Sequence, residues 1–421
     1  MSQHSSRGSL ASVALWGIAL WCLSLTGLPG GRPPVLAQGS IRVLESAYAI
    51  SFGHEMRFSL QVESASPITS VVLAYRTSDT GGTTVETLSV SPATSLRAEY
   101  VHQIARRYVR PFVEVTYWWT IVDAAQARLV TEPRQFTYVD DRYDWQMLTG
   151  DAVHVHWYRG DLKIAQQALD VAAEGLSRAG QDIAPDVPAR PIDVYLYASR
   201  ADMLAALPPG SPSGVEAMTL NGMNVVLVSF PPEAAYIPDL RRVLPHEATH
   251  ARIHEATQDA HDRVPLWLSE GLATSVQYAF VPDPVAQTML EEATRQDALI
   301  PLLDLCAAFP RDATSAGLAY AESASVIGYI GDRHGRQAVR DLIAAYVDGA
   351  TCEGGVYRVL GITLDGLEAQ WRASLAPQAG WVTFWRANGA WIILLLLITA
   401  LPLVFLLPLR ARAAALGDKR L

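Results

Sequence analysis

The sequence predicts an all-β front module, an α+β body built around a histidine-bearing helix, and an apolar C-terminal helix long enough to cross a membrane. Three observations carry that expectation. Residues 38–140 hold short β-branched and aromatic runs separated by turn residues. His246-Glu247-Ala248-Thr249-His250 sets two imidazoles one turn apart on one face of a helix. Trp391 to Leu409 is an apolar run without a charged residue.

Composition bounds the function. At 421 residues the chain has room for two or three domains. Half the residues are apolar and 18% are charged, a balance that suits membrane segments. The net charge of −9, with no long basic run, argues against nucleic acid as a partner. No Gly-rich phosphate loop follows a strand, so no cofactor beyond a metal is expected. Oligomeric state is not legible. Of the cysteines Cys22, Cys306 and Cys352, the last two could pair outside the cytoplasm or remain separate thiols.

In the front module the strand candidates are Ile41–Leu44, Met56–Val62, Val71–Thr77, Thr84–Val90, Val113–Val122 and a last one from Gln135. Asp79-Thr80-Gly81-Gly82 reads as a hairpin turn. The spacing predicts a sandwich of immunoglobulin or fibronectin type, serving as a spacer or a substrate-docking module.

Beyond residue 141, Val153–Tyr158 alternates like a strand, with His154 and His156 on one face, a spacing open to a second metal or to a structural role. Leu162, Ala165, Leu169, Ala172 and Leu176 mark a helix, and Ile192–Tyr197 a strand. The metal helix is expected over 239–256, with Pro245 either at its first turn or at a kink; the helical spacing of Leu240, Val243 and Leu244 favours the kink.

The pair His246 and His250 offers two neutral nitrogen ligands, and Glu247 is a carboxylate placed to take a proton from activated water. Glu270, with nineteen residues between it and His250, fits as the third ligand at the start of a second helix. His254 extends the same face but lies about 12 Å from His246, too far to share one tetrahedral ion. His261-Asp262 in the linking loop has no assigned role.

With Trp267-Leu268-Ser269-Glu270-Gly271-Leu272-Ala273 downstream, the chain resembles the gluzincin metallopeptidases, whose second helix carries W-L-x-E-G-x-A. It looks most like the peptidase MA-like group of bacterial membrane-anchored or secreted proteins. The likeness covers roughly 144–377 and is strongest over 240–276. It implies a zincin-like α+β catalytic domain over 141–377, Zn2+ held by His246, His250 and Glu270, and Glu247 as general base. It also implies Tyr320 as a hydroxyl set against the developing oxyanion, with Glu322 a weaker candidate. Where some gluzincins carry an acidic residue to orient a ligand histidine, this chain has Thr274, Ser275 and Gln277. Such a bond is therefore expected from a carbonyl or another segment. In zincin folds the strand ahead of the metal helix tends to be an edge that pairs with substrate. Here that strand is Asn224–Phe230, which reads equally well as an ordinary core strand.

The ends suggest an address. Arg7, the apolar Leu10–Leu28 and Val35-Leu36-Ala37 read as a signal peptide over 1–37, with a retained anchor as the alternative. A linker over 378–388 leads to a transmembrane helix at 389–409, whose apolar run Trp391–Leu409 would be about 28 Å long, with Trp381, Trp385 and Trp391 placed as an aromatic belt. The basic tail 410–421 would then be cytoplasmic and the catalytic body extracytoplasmic, in a single-pass cell-membrane protein touching the lipid bilayer through that helix. The function expected is hydrolysis of peptide bonds in a peptide or protein substrate. A binding or adhesion protein with an inactive zinc domain, and a zinc hydrolase of other amides or envelope components, stay open.

Overall fold

The computed structural model describes residues 41–211, 214–231, 237–375, 384–385 and 388–398. The expected signal peptide at 1–37 and basic tail at 410–421 lie outside the described residues.

The front module comprises β1 (Ile41–Ser51), β2 (Glu55–Thr77), β3 (Thr83–Leu88), β4 (Ala93–Gln103), β5 (Glu114–Asp123), β6 (Arg128–Val130) and β7 (Arg134–Thr137). They form one seven-stranded hydrogen-bonded sheet, sandwich-like because β2 serves two layers. The first half of β2 pairs antiparallel with β1 and β4, the second half with β3 and β5. Pairing with β4 breaks between Glu63 and Ile68, where Pro67 has no amide to donate. Two expected strands, Met56–Val62 and Val71–Thr77, are thus one strand bent at an interruption, and two separate immunoglobulin-type sheets are not what forms.

The second sheet takes β8 (Gln146–Thr149), β9 (Val153–Trp157), β10 (Ile192–Tyr197), β11 (Ala217–Leu220) and β12 (Val225–Ser229), ordered β11-β12-β10-β9-β8. Strands β9, β10 and β12 run parallel, and β11 and β8 are antiparallel edges. The strand expected at Asn224–Phe230 therefore lies inside the sheet, and the edge beside the helix that carries His246 and His250 is β11.

One face of this sheet, through Val153, Val155, Val194, Leu196, Val226 and Val228, packs on α1 (Leu162–Ile183). Its opposite face, through Tyr195, Tyr197, Leu220, Val225 and Leu227, shares a core with the front module. Phe112 meets Tyr195 with ring centroids 4.6 Å apart, and buried Asp140 accepts from the Tyr197 hydroxyl at 2.9 Å. The module is the other wall of the sheet, not a bead on a linker. Expressed without residues 38–140, the body exposes this apolar face, and we expect it to aggregate where the full chain stays monodisperse in size-exclusion chromatography.

After α2 (Arg200–Leu204) come α3 (Ile237–Thr257), α4 (Leu266–Phe280), α5 (Pro284–Gln296), α6 (Ala313–His334), α7 (Arg336–Val347), α8 (Cys352–Leu360) and α9 (Leu364–Leu375). Helix α3 lies on the α1 face of the sheet, and Trp267, Leu268, Val326, Leu342, Val356 and Trp371 anchor a second, all-helical core. Cys306 and Cys352 are disulfide-bonded, tying the segment before α6 to the start of α8.

Among the described residues no helix is long and apolar enough to cross a membrane. This corrects the sequence expectation: among the described residues, which stop short of 399–409, the transmembrane helix expected at 389–409, the bilayer contact through it and the single-pass membrane placement built on it are not found.

Candidate metal centre

Helix α3 passes through Pro245 and does not begin there. The proline lies where α1 presses closest: a Cβ on Gly175 would sit 2.7 Å from Pro245 Cα. Thr249 Oγ1 donates to Pro245 O at 2.8 Å, and the next turn presents His246 and His250 towards α4.

Trp267, fully buried, anchors the first turn of α4, with Nε1 3.4 Å from Cys352 Sγ. Gly271 is a packing residue, since a Cβ there would meet Ser323 O at 2.6 Å. Its bare backbone lets α4 lie against α6, which brings Tyr320 to the site from one side while Glu270 enters from the other. Gly271→Ala must push these helices apart, and we expect about 1–3 kcal/mol lost in denaturant melts of the metal-free protein.

Three side-chain atoms that could hold a metal ion converge. His246 Nε2 and His250 Nε2 are 3.1 Å apart, and Glu270 Oε2 stands 3.4 Å from the first and 3.5 Å from the second. Bonds of 2.0–2.1 Å in a tetrahedral zinc site put ligand atoms about 3.3 Å from each other, so the residues fit such an ion. They are the group of histidine, cysteine and carboxylate side chains among the described residues arranged to hold a metal. Electrostatics agree. Burial works against charge on His250, yet the Glu270 and Glu247 carboxylates push its pKa up to about 9. Burial likewise opposes charge on Glu270, but His250 and His246 hold its carboxyl well below the usual range. The cavity draws positive charge, and a metal would displace that proton.

Glu247, nearly buried, receives a hydrogen bond from Thr219 Oγ1 on β11, 2.6 Å from Oε2. Tyr320 stands with its ring 6.2 Å from that of His246, edge-on, and 5.0 Å from Phe309. Burial, then Glu270 and Glu247, push its pKa up to about 12, so its hydroxyl stays protonated and able to donate. His246, Glu247 and Tyr320 line a cleft of about 370 Å³, walled by Val243, Tyr278 and Met289.

The expected bond to a ligand histidine comes from within the motif itself: Ser269 Oγ lies 3.4 Å from His250 Nδ1. Ser269 and Thr219 are the residues that sequence reasoning missed. The first was visible beside Glu270; the second lies on a strand too short to announce itself. Thr274 lines the same cleft.

Other candidates lie elsewhere. His254 sits beside Gly222 and His261, whose Nε2 is 3.1 Å from Asn221 Nδ2. His156 stacks on Tyr195 at 4.2 Å and pairs with Asp193 at 2.7 Å, a role in the wall between sheet and module. Glu322 faces away, accepting from Ile300 N–H at 3.0 Å, and burial pushes its pKa up to about 7.

Comparison with known proteins agrees with this geometry in one respect. No curated protein matches the chain. A crystal structure of catalytically inactive OgpA from Akkermansia muciniphila, in complex with an O-glycopeptide substrate, is similar at 9% identity and a TM-score of 0.20. That likeness covers 24% of this chain and 30% of that one. Wild-type OgpA is similar at 11% identity and a TM-score of 0.19, over 24% of this chain and 28% of that one. Likeness at this level carries no argument about fold or activity. The family model of the Peptidase MA superfamily matches residues 171–377, from within α1 to just past α9, a span that contains every ligand candidate. Over that stretch the chain is similar to the Peptidase MA superfamily.

Proposed function

We propose that the protein is a zinc-dependent metallopeptidase whose catalytic domain spans about 141–377, with the module at 38–140 as its structural wall. The observation that carries this reading is the convergence of His246, His250 and Glu270 at tetrahedral spacing, with Glu247 alongside and a cleft in front. His246 Nε2, His250 Nε2 and a Glu270 oxygen would hold the ion. When bound, the ion polarises a peptide carbonyl and acidifies water.

The rest falls to the chain's own groups. Glu247 removes the proton from the attacking water and delivers it to the departing amine nitrogen. The Tyr320 hydroxyl, kept protonated, donates to the oxygen on which negative charge develops. The outer edge of β11, unpaired among the described residues, offers backbone groups to an extended peptide and lays it over Glu247.

The test is a digest of an unstructured peptide library by the purified protein, with and without a chelator. Cleavage that stops on chelation and returns on adding zinc is expected. Absence of cleavage from zinc-loaded protein contradicts the proposal.

A further inference from the structure

We infer that Thr219 is a positioning residue for Glu247, fixing the carboxylate of the base and tying it to the edge strand. This deepens the metallopeptidase reading and rests on it.

The placement follows from strand alternation. Met218 and Leu220 turn towards the core shared with the front module, so Thr219 turns to the other face, where α3 lies. Its register partner is Val226 on β12, and three contacts place β11 alongside α3. Arg242 Nη2 reaches Glu216 Oε2 at 2.5 Å, Thr219 reaches Glu247, and Gly222 faces the His254 ring. The strand and the metal helix thus run side by side, with Thr219 in the middle.

The Thr219 hydroxyl has one proton and two acceptors in reach, Glu247 O at 2.9 Å and Glu247 Oε2 at 2.6 Å. The carboxylate is the shorter contact and, carrying charge, the stronger acceptor. Donation there occupies Oε2 and leaves Oε1 as the basic oxygen. A glutamate side chain has three torsions to fix, and nothing else among the described residues is seen to donate to this carboxylate. A β-branched threonine on a strand has restricted χ1, so its hydroxyl is itself well aimed. Because the contact bridges β11 to α3, a peptide lying along β11 meets a base already oriented.

Two measurements decide this. Crystal structures of the metal-free wild type and of Thr219→Val should show the Glu247 carboxylate in one orientation in the first and spread over several in the second. A single unchanged orientation in Thr219→Val overturns the proposal. In the zinc-loaded protein, Thr219→Val should lower kcat 10- to 100-fold, with KM within about twofold of wild type and metal content unchanged. Thr219→Ser should recover kcat to within a few-fold. An unchanged kcat in Thr219→Val, or a serine variant as slow as valine, overturns it equally. Thr219→Ala serves if the valine variant does not fold. If zinc-loaded wild type cleaves nothing, the metallopeptidase reading fails, and the metal-free structures still decide the role of Thr219.

Discussion

Glu247→Gln lowers peptide hydrolysis by about 10²- to 10⁴-fold while metal content and melting temperature stay near wild type. The amide keeps the shape of the carboxylate and an oxygen for the Thr219 hydroxyl, 2.6 Å from Oε2 in the native protein. What it loses is basicity: no oxygen is left to take a proton from the attacking water. Steady-state kinetics with metal analysis on the same sample separate this from a structural effect. Hydrolysis at the wild-type rate would remove Glu247 from its assigned role.

His246→Ala has a different signature. It deletes one of three ligand atoms that stand 3.1–3.5 Å from each other, leaving His250 and Glu270 as an incomplete pair. Metal content measured by mass spectrometry should fall to background, and hydrolysis with it. The fold should survive, because the helical core around Trp267 and Leu342 does not depend on this imidazole. Wild-type metal occupancy in His246→Ala would mean that the ion lies elsewhere.

That His246, His250 and Glu270 would come together was legible because their placement is written in local spacing. His246 and His250 lie four positions apart on one helix, and the Trp267 and Gly271 flanks of Glu270 record how α4 packs. The indole fills the core and the glycine admits the carbonyl of Ser323. What escaped depends on contacts between segments distant in sequence. Strand β11 is four residues long, too short for alternation to register, yet it forms the edge of the sheet and carries Thr219. Strand β4, in which exposed Ser95, Arg97 and Glu99 alternate with less exposed Leu96, Ala98 and Tyr100, was not read from the sequence. Two strands were read where β2 bends past Pro67, since a proline marks an interruption without saying whether the chain turns back. The front module gave no sign that it shares a core with the five-stranded sheet, because Tyr195, Tyr197 and Leu227 read as ordinary strand residues. The apolar run after Trp391 was read as a membrane span, but no described helix has the length for one.

The most direct measurement is anomalous diffraction at the zinc edge from a crystal of the zinc-loaded protein. The expected result is one strong peak within about 2.0–2.2 Å of His246 Nε2, His250 Nε2 and a Glu270 oxygen together. A peak away from these three atoms, or none at full zinc loading, contradicts the account.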